Sequence, residues 1–396
     1  MKKLLSIVLT LVMIFSLANV ALAEDITLLL WESDGVELEF LKLAAEKFTE
    51  QNPNVKFEFN AVGHTDTVQK MELDAPAGNG ADIFAAPHDK LGQMLAGEMI
   101  LPVVNPEDIN ANYMDAAKTA LTSEGILYGY PLAIETYALF YNKDIIAEAP
   151  KTWEEVEKYA AEYNNPAENK FALVWEVAAP YYNYIFMSAY GADLFGPEGA
   201  DPAAHNINSP EAVKGLTYFA SLKDKILPVV ADDITYDFCN AAFVNDRTAA
   251  MYITGPWSIK GCEDAGLNFG VANIPVLPET ENPPASFSGI RGFFVSAYSE
   301  HPEEAHAFAE FLMSNEMQSL RSDTTATISP RLDVTSENPY FEGIMEQAKF
   351  AKPMPSIPAM DGYWQSMGAA FKNIWNGNSV QKELDAAASF VESLAN

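Results

Sequence analysis

The chain has 396 residues, 24 Lys and Arg against 55 Asp and Glu, and a formal net charge of −31. With 49% hydrophobic and 12% aromatic residues it has enough core for two domains or one large α/β domain, which excludes intrinsic disorder. The acidity excludes nucleic acid and anionic lipid as partners, because both need a cationic surface.

The first residues form a separate object. Lys2 and Lys3 are a positive start, Leu4 to Leu17 is apolar apart from Ser6, Thr10 and Ser16, and Ala21-Leu22-Ala23 is a small-x-small cleavage site. Residues 1–23 are expected to be a signal peptide. The apolar run is shorter than the ~20 residues of a membrane span, and no Cys follows it to carry a lipid anchor. The expected location is periplasmic or extracellular, where disulfides persist. Cys239 and Cys262 are the two cysteines. A bridge between them would contribute roughly 3 kcal/mol; bridge and free thiols stay equally open.

Ile26 to Trp31 reads as a buried strand. Leu38, Leu41, Ala45 and Phe48 recur at helical spacing, and Asn52-Pro53-Asn54 stops that helix. Val55, Phe57 and Phe59 then alternate with Lys56 and Glu58, the period of a half-buried strand. Together these make a βαβ unit. Strands are predicted at Asp82 to Ala85, Tyr137 to Tyr141, Phe171 to Trp175, Thr248 to Ile253 and Phe293 to Ala297. Thr152-Trp153-Glu154-Glu155 is a capping box, and Ser209-Pro210-Glu211 opens another helix. Further helices are predicted over Pro302 to Met313 and Val380 to Leu394. The alternation predicts the α/β class with mostly parallel sheets. Pro-rich breaks at 275–284 and 352–358 fall where a chain could cross between lobes.

Local catalytic motifs are missing. There is no GxSxG elbow, Walker A loop or GxGxxG run. His301 and His306 are five apart and point to different faces of a helix, so no metal is expected. The cysteines lack CxxC spacing. No cofactor is implied. A glycosidase pair needs carboxyls about 5–9.5 Å apart, a separation that sequence does not give. A secreted glycoside hydrolase or lyase with paired cleft carboxylates is therefore kept as the alternative function.

Five segments put aromatics beside turn residues and isolated polar groups: Ala85 to Lys90, Tyr130 to Asp144, Ala179 to Tyr184, Thr254 to Trp257 and Met354 to Trp364. Sugar recognition calls for these types. A flat aromatic ring covers the C–H face of a pyranose at low entropic cost, and carboxylates accept from its hydroxyls.

The chain resembles the maltose/maltodextrin-binding proteins, the extracellular solute-binding components of carbohydrate ABC transporters. The likeness rests on the Tyr130 to Asp144 segment with its Tyr-Asn-Lys-Asp end, Pro-Lys-Thr-Trp-Glu-Glu at 150–155, Ala241 to Met251, Gly255-Pro256-Trp257, and Met354 to Met360, in this order. It implies a two-lobed periplasmic-binding-protein fold with a hinge and an interlobe ligand cleft. Residues 24–133 and 288–333 would form the N-lobe, 138–284 and 340–396 the C-lobe, and 134–137, 285–287 and 334–339 the crossings. It implies a neutral oligosaccharide ligand, ABC permease membrane subunits as partners, a monomer, and no catalysis.

Carried over residue by residue, Trp257 and Trp364 match stacking aromatics, and Tyr181 and Tyr236 match sugar-facing aromatics. Tyr363 faces either ligand or core. Asp89 matches the carboxylate of a His-Asp pair, and Lys90 beside it could donate to a hydroxyl. Glu135 matches a ligand carboxylate near the hinge. Asp34 ends the first strand, where ligands gather in open α/β sheets. Ala86 and Ala179 depart from the family pattern, which expects an aromatic and a carboxylate there. The exact sugar is left open.

Overall fold

Ile26–Glu32 (β1) and Val55–Ala61 (β2) pair in parallel along their whole length, Ile26 beside Val55 and Glu32 beside Ala61. Helix Val36–Gln51 (α1) connects them and buries Leu38, Leu41, Ala45 and Phe48, the expected stripe. Gly35, at φ 82°, turns the chain from strand into helix, a backbone state that a side chain would strain. This is a computed structural model, and it describes residues 25–197 and 199–394. The expected signal peptide lies outside them.

The elements that frame the site follow in chain order. They are Ile83–Pro87 (β3), Tyr130–Thr136 (β4), Ala138–Asn142 (β5), Trp153–Tyr163 (α2), Phe171–Val174 (β6), Pro180–Ser188 (α3), Pro210–Lys225 (α4) and Tyr236–Asn240 (α5). Then come Ala249–Thr254 (β7), Phe269–Ala272 (β8), Phe287–Val295 (β9), Pro302–Leu312 (α6), Asn315–Thr325 (α7), Phe341–Ala348 (α8), Lys352–Pro353 (β10), Ala359–Trp375 (α9) and Val380–Leu394 (α10).

Two sheets carry the lobes. The first has the order β10-β9-β3-β1-β2, with β4 also on β9; the second runs β8-β5-β7-β6. Both are mixed, which corrects the mostly parallel expectation. β9 runs antiparallel to β3 and β4, and β5 antiparallel to β7 and β8. The reason lies in the connections. β4 and β5 follow one another through Tyr137 alone, one strand in each sheet. β4 itself escapes prediction because its Tyr-Pro-Leu-Ala-Ile-Glu-Thr run is buried on both faces and shows no alternation.

Each sheet has its own core. Leu28, Leu30, Phe84, Phe293 and Phe308 belong to one. Phe140, Leu173, Phe186, Met251 and Trp375 belong to the other. The caps behave nearly as read. Thr152 Oγ1 accepts from the Glu155 N–H at 3.3 Å and Ser209 Oγ from the Ala212 N–H at 3.2 Å. Glu155, however, accepts from the Lys151 N–H at 2.6 Å rather than from its cap residue.

Candidate binding cleft

β6 and β7 are parallel, with Val174 beside Tyr252, so the segments after them leave the same end of the sheet. After β6 the chain enters α3 through Pro180, setting Tyr181 on its first turn. After β7 it passes Gly255-Pro256 and presents Trp257. A Cβ on Gly255 would lie 2.2 Å from the Trp257 ring, so only glycine lets the indole fold back over the turn. Trp257 is half-buried and lies 6.3 Å from Tyr181, ring centre to ring centre. Tyr181 lies 6.2 Å from Phe287, and Phe287 lies 5.7 Å from Trp364. Three half-buried rings, with buried Phe287 behind them, therefore form one arc on the C-lobe side.

The N-lobe faces this arc with carboxylates. β3 ends in Pro87, and His88 begins the next turn, fully buried. His88 Nδ1 accepts from the Ile290 N–H at 3.1 Å, so Nε2 carries the proton and donates to the Met354 carbonyl at 3.0 Å. Burial holds the ring neutral by lowering its pKa. This clamp fixes the next residue, Asp89, which is 6% exposed. Asp89 Oδ2 accepts from the Trp364 indole N–H at 2.8 Å, while its Oδ1 is buried with no partner among the described residues. Lys90 donates to Asp361 on α9 at 2.7 Å. Glu135, near the end of β4, is 8% exposed and ion-paired to Arg291 at 2.9 Å. The Tyr181 hydroxyl is pushed well above its ordinary pKa, first by burial and then by Glu135, Tyr137 and Asp89. Both carboxylates thus bear on the central ring of the arc.

Asp89, Lys90, Glu135, Tyr181, Trp257 and Trp364 therefore converge. Tyr236 opens α5 and stands 40% exposed, with Ser258, the residue after Trp257, bearing on its hydroxyl. Asp34 sits exposed on the turn after β1. Tyr363 needs correction. It is fully buried, and its hydroxyl donates to the Pro180 carbonyl at 3.1 Å. The reason is helical phase. Tyr363, Met367, Ala370, Phe371 and Ile374 form the buried stripe of α9, and a step of one residue swings Trp364 out towards the cleft. Cys239 and Cys262 are free and buried, so the possible bridge is not formed. Burial pushes the Cys262 thiol up to about 12 and raises that of Cys239.

Two residues near these groups escape sequence reasoning. Phe287 forms the back of the arc, but one Phe at the start of a strand carries no local signal. Glu176, just beyond β6, is pushed up to about 7 by burial and by Asp237. It is one of 55 acidic residues with nothing to mark it. Among the described residues, no cluster of His, Cys, Asp and Glu could hold a metal ion.

Residues 44–350 match the family described as bacterial extracellular solute-binding protein. The chain belongs to the bacterial extracellular solute-binding proteins. The chain is similar to the galactooligosaccharide-binding protein of Bacillus subtilis (strain 168), 29% identical over 375 residues, 91% of this chain and 87% of that protein. A solved cyclo/maltodextrin-binding protein complexed with maltotetraose is 32% identical, with a TM-score of 0.76 over 94% of this chain and 98% of the other. The maltotriose-binding protein of Thermus thermophilus, solved with maltotriose, is 29% identical, with a TM-score of 0.86 over 93% of this chain and all (100%) of the other. The two-lobed form is thus the solute-binding fold.

Proposed function

We propose that this solute-binding protein captures a neutral, maltodextrin-like oligosaccharide outside the cytoplasmic membrane and delivers it intact to the membrane subunits of an ABC importer. One observation carries the reading: an arc of half-buried aromatic rings faces two buried carboxylates, and one carboxylate oxygen, Asp89 Oδ1, has no partner among the described residues. Rings cover the apolar faces of sugar units, and the oxygen accepts from a hydroxyl. The bound sugars of the solved relatives support the class.

Affinity follows from closure. Each lobe supplies part of the site, so ligand favours the state in which both parts meet. In this reading the chain crosses between the lobe segments given above at 134–137, 285–287 and 334–339. The position of Tyr137 between two sheets supports the first of these. Residues 1–23 act as a cleaved signal peptide, and the protein works as a monomer. Of the nominated residues, Asp89, Lys90, Glu135, Tyr181, Trp257 and Trp364 line the site, with Tyr236 and Asp34 at its margins.

The test is calorimetric titration with maltotriose, with chromatography of the recovered sugar. Saturable binding and intact sugar are expected. Release of shorter sugars would instead establish the hydrolase alternative. A folded protein that binds no neutral oligosaccharide would overturn the ligand class.

A further inference from the structure

Behind Glu135 lies a buried charge cluster that no sugar contact requires. Arg291 on β9 is its centre. Its Nη1 reaches Glu32 at the end of β1 (3.1 Å) and Glu37 on α1 (3.4 Å). Its Nε pairs with Glu135 on β4 (2.9 Å), and its Nη2 donates to His64 Nδ1 after β2 (2.8 Å). Arg321 on α7 holds the second oxygen of Glu37 at 2.7 Å. His64 Nε2 stands 3.7 Å from the second oxygen of Glu135. All five charged residues are buried, none of them more than 8% exposed.

The charges do not balance. Two guanidiniums face three carboxyls. His64 accepts from Arg291 at Nδ1, so it is neutral; burial and Arg291 both lower its pKa. A net buried charge is costly, so one carboxyl retains a proton. Glu37 bridges both arginines, and Glu135 has a side of Arg291 to itself. Glu32 shares its nitrogen with Glu37 and, among the described residues, has otherwise only the Ser33 N–H, at 2.6 Å. Burial, and then the charge of Glu37, push it up to about 7 against the pull of Arg291.

We propose that Glu32 and Arg291 are positioning residues for Glu135: a proton on Glu32 leaves the Arg291 charge to Glu135, which fixes that carboxylate towards the cleft and makes sugar affinity depend on the proton. This rests on the reading of Glu135 as a sugar acceptor. When Glu32 ionises, it competes for Arg291, and Glu135 loosens. A sugar that excludes water from the cleft further disfavours ionised Glu32, so binding takes up a proton near neutrality and weakens as pH rises through that range.

The experiment is calorimetric titration of maltotriose into the full chain between pH 5.5 and 8.5, in buffers of low and high ionisation enthalpy, for wild type, Glu32→Gln and His64→Gln. The wild type should lose about threefold to tenfold in affinity across the range, the same factor by which bound sugar tightens the hold of Glu32 on its proton. Its apparent enthalpy near neutrality should differ between buffers. Glu32→Gln should bind like the low-pH wild type, with no slope and no buffer dependence; His64→Gln should keep both. A flat wild-type profile without buffer dependence overturns the proposal and needs no variant to fold. A slope that survives in Glu32→Gln, or vanishes only in His64→Gln, overturns it too. Folded wild type with no affinity at any pH overturns the sugar reading instead.

Discussion

Glu32→Gln also makes a prediction about the unliganded fold. The amide has nearly the shape of the carboxyl but never titrates. Below the unfolded pKa near 4.5, Glu32 is protonated in both states, and wild type and variant differ only by a constant. Between 4.5 and about 7 the folded chain keeps a proton that the unfolded chain has lost. Stability rises with pH where the unfolded state binds more protons, so here it falls. A group whose folded pKa is raised contributes stability below the unfolded pKa and loses it as pH climbs through the folded one. The fall amounts to about 3 kcal/mol, at roughly 1.4 kcal/mol for each tenfold difference in proton affinity between the folded and unfolded chain. Burial to 1% exposure leaves no solvent screening to discount. Differential scanning calorimetry of both proteins from pH 4 to 8, without sugar, measures it. The variant should gain on wild type steadily up to neutrality, by several degrees in Tm. Parallel curves, or a variant that loses ground as pH rises, would refute the burial of a protonated Glu32.

Four further outcomes follow from the same geometry. Trp257→Ala and Trp364→Ala should each weaken maltotriose binding by roughly 2 kcal/mol, about thirtyfold in Kd, with Tm within about 4 °C of wild type. Tyr363→Ala, by contrast, should cost about 3–5 kcal/mol of fold stability, read by denaturant titration; the opposite assignment would reverse the two results. Asp89→Asn retains an acceptor for the Trp364 N–H but loses the charge, and should reduce affinity about tenfold. Thiol titration should find two reactive cysteines per unfolded chain and slow reaction in the folded one, because both thiols are buried; an unfolded chain without reactive thiols would show a bridge.

How much is legible depends on range. The amphipathic stripe of α1 and the alternation in β2 are local, and both read correctly, because each residue's face follows from its neighbours' spacing. The tail helix, Val380–Leu394, reads to its ends for the same reason. β4 fails since a strand buried on both faces loses its period. Tyr363 is ambiguous because the helix that decides it, starting at Ala359, has a Pro-rich approach that hides its phase. The resemblance nominates Trp257, Trp364 and Asp89, and no periodicity could do so. Trp364 and Asp89 are 275 residues apart in sequence and 2.8 Å apart in the fold.

The charge cluster shows why such sites resist sequence reading. Glu32 and Arg291 are separated by 259 residues and meet because β1 and β9 both flank β3 in one sheet. Each looks ordinary by itself: Glu32 is one acid after a Trp, and Arg291 one base between glycines. Their chemistry comes from the lack of a sixth partner. A third cation in place of His64 would balance the three carboxyls, and Glu32 would ionise at an ordinary pH. A histidine that instead accepts from Arg291 leaves the deficit in place. The raised affinity of Glu32 for its proton is therefore a property of the whole set. Replacing His64 by Lys should abolish it, lowering the pH at which Glu32 ionises and removing the fall in stability between about pH 4.5 and 7. Calorimetry of that variant would show a profile parallel to Glu32→Gln. If it followed wild type instead, the charge imbalance would not be what holds the proton.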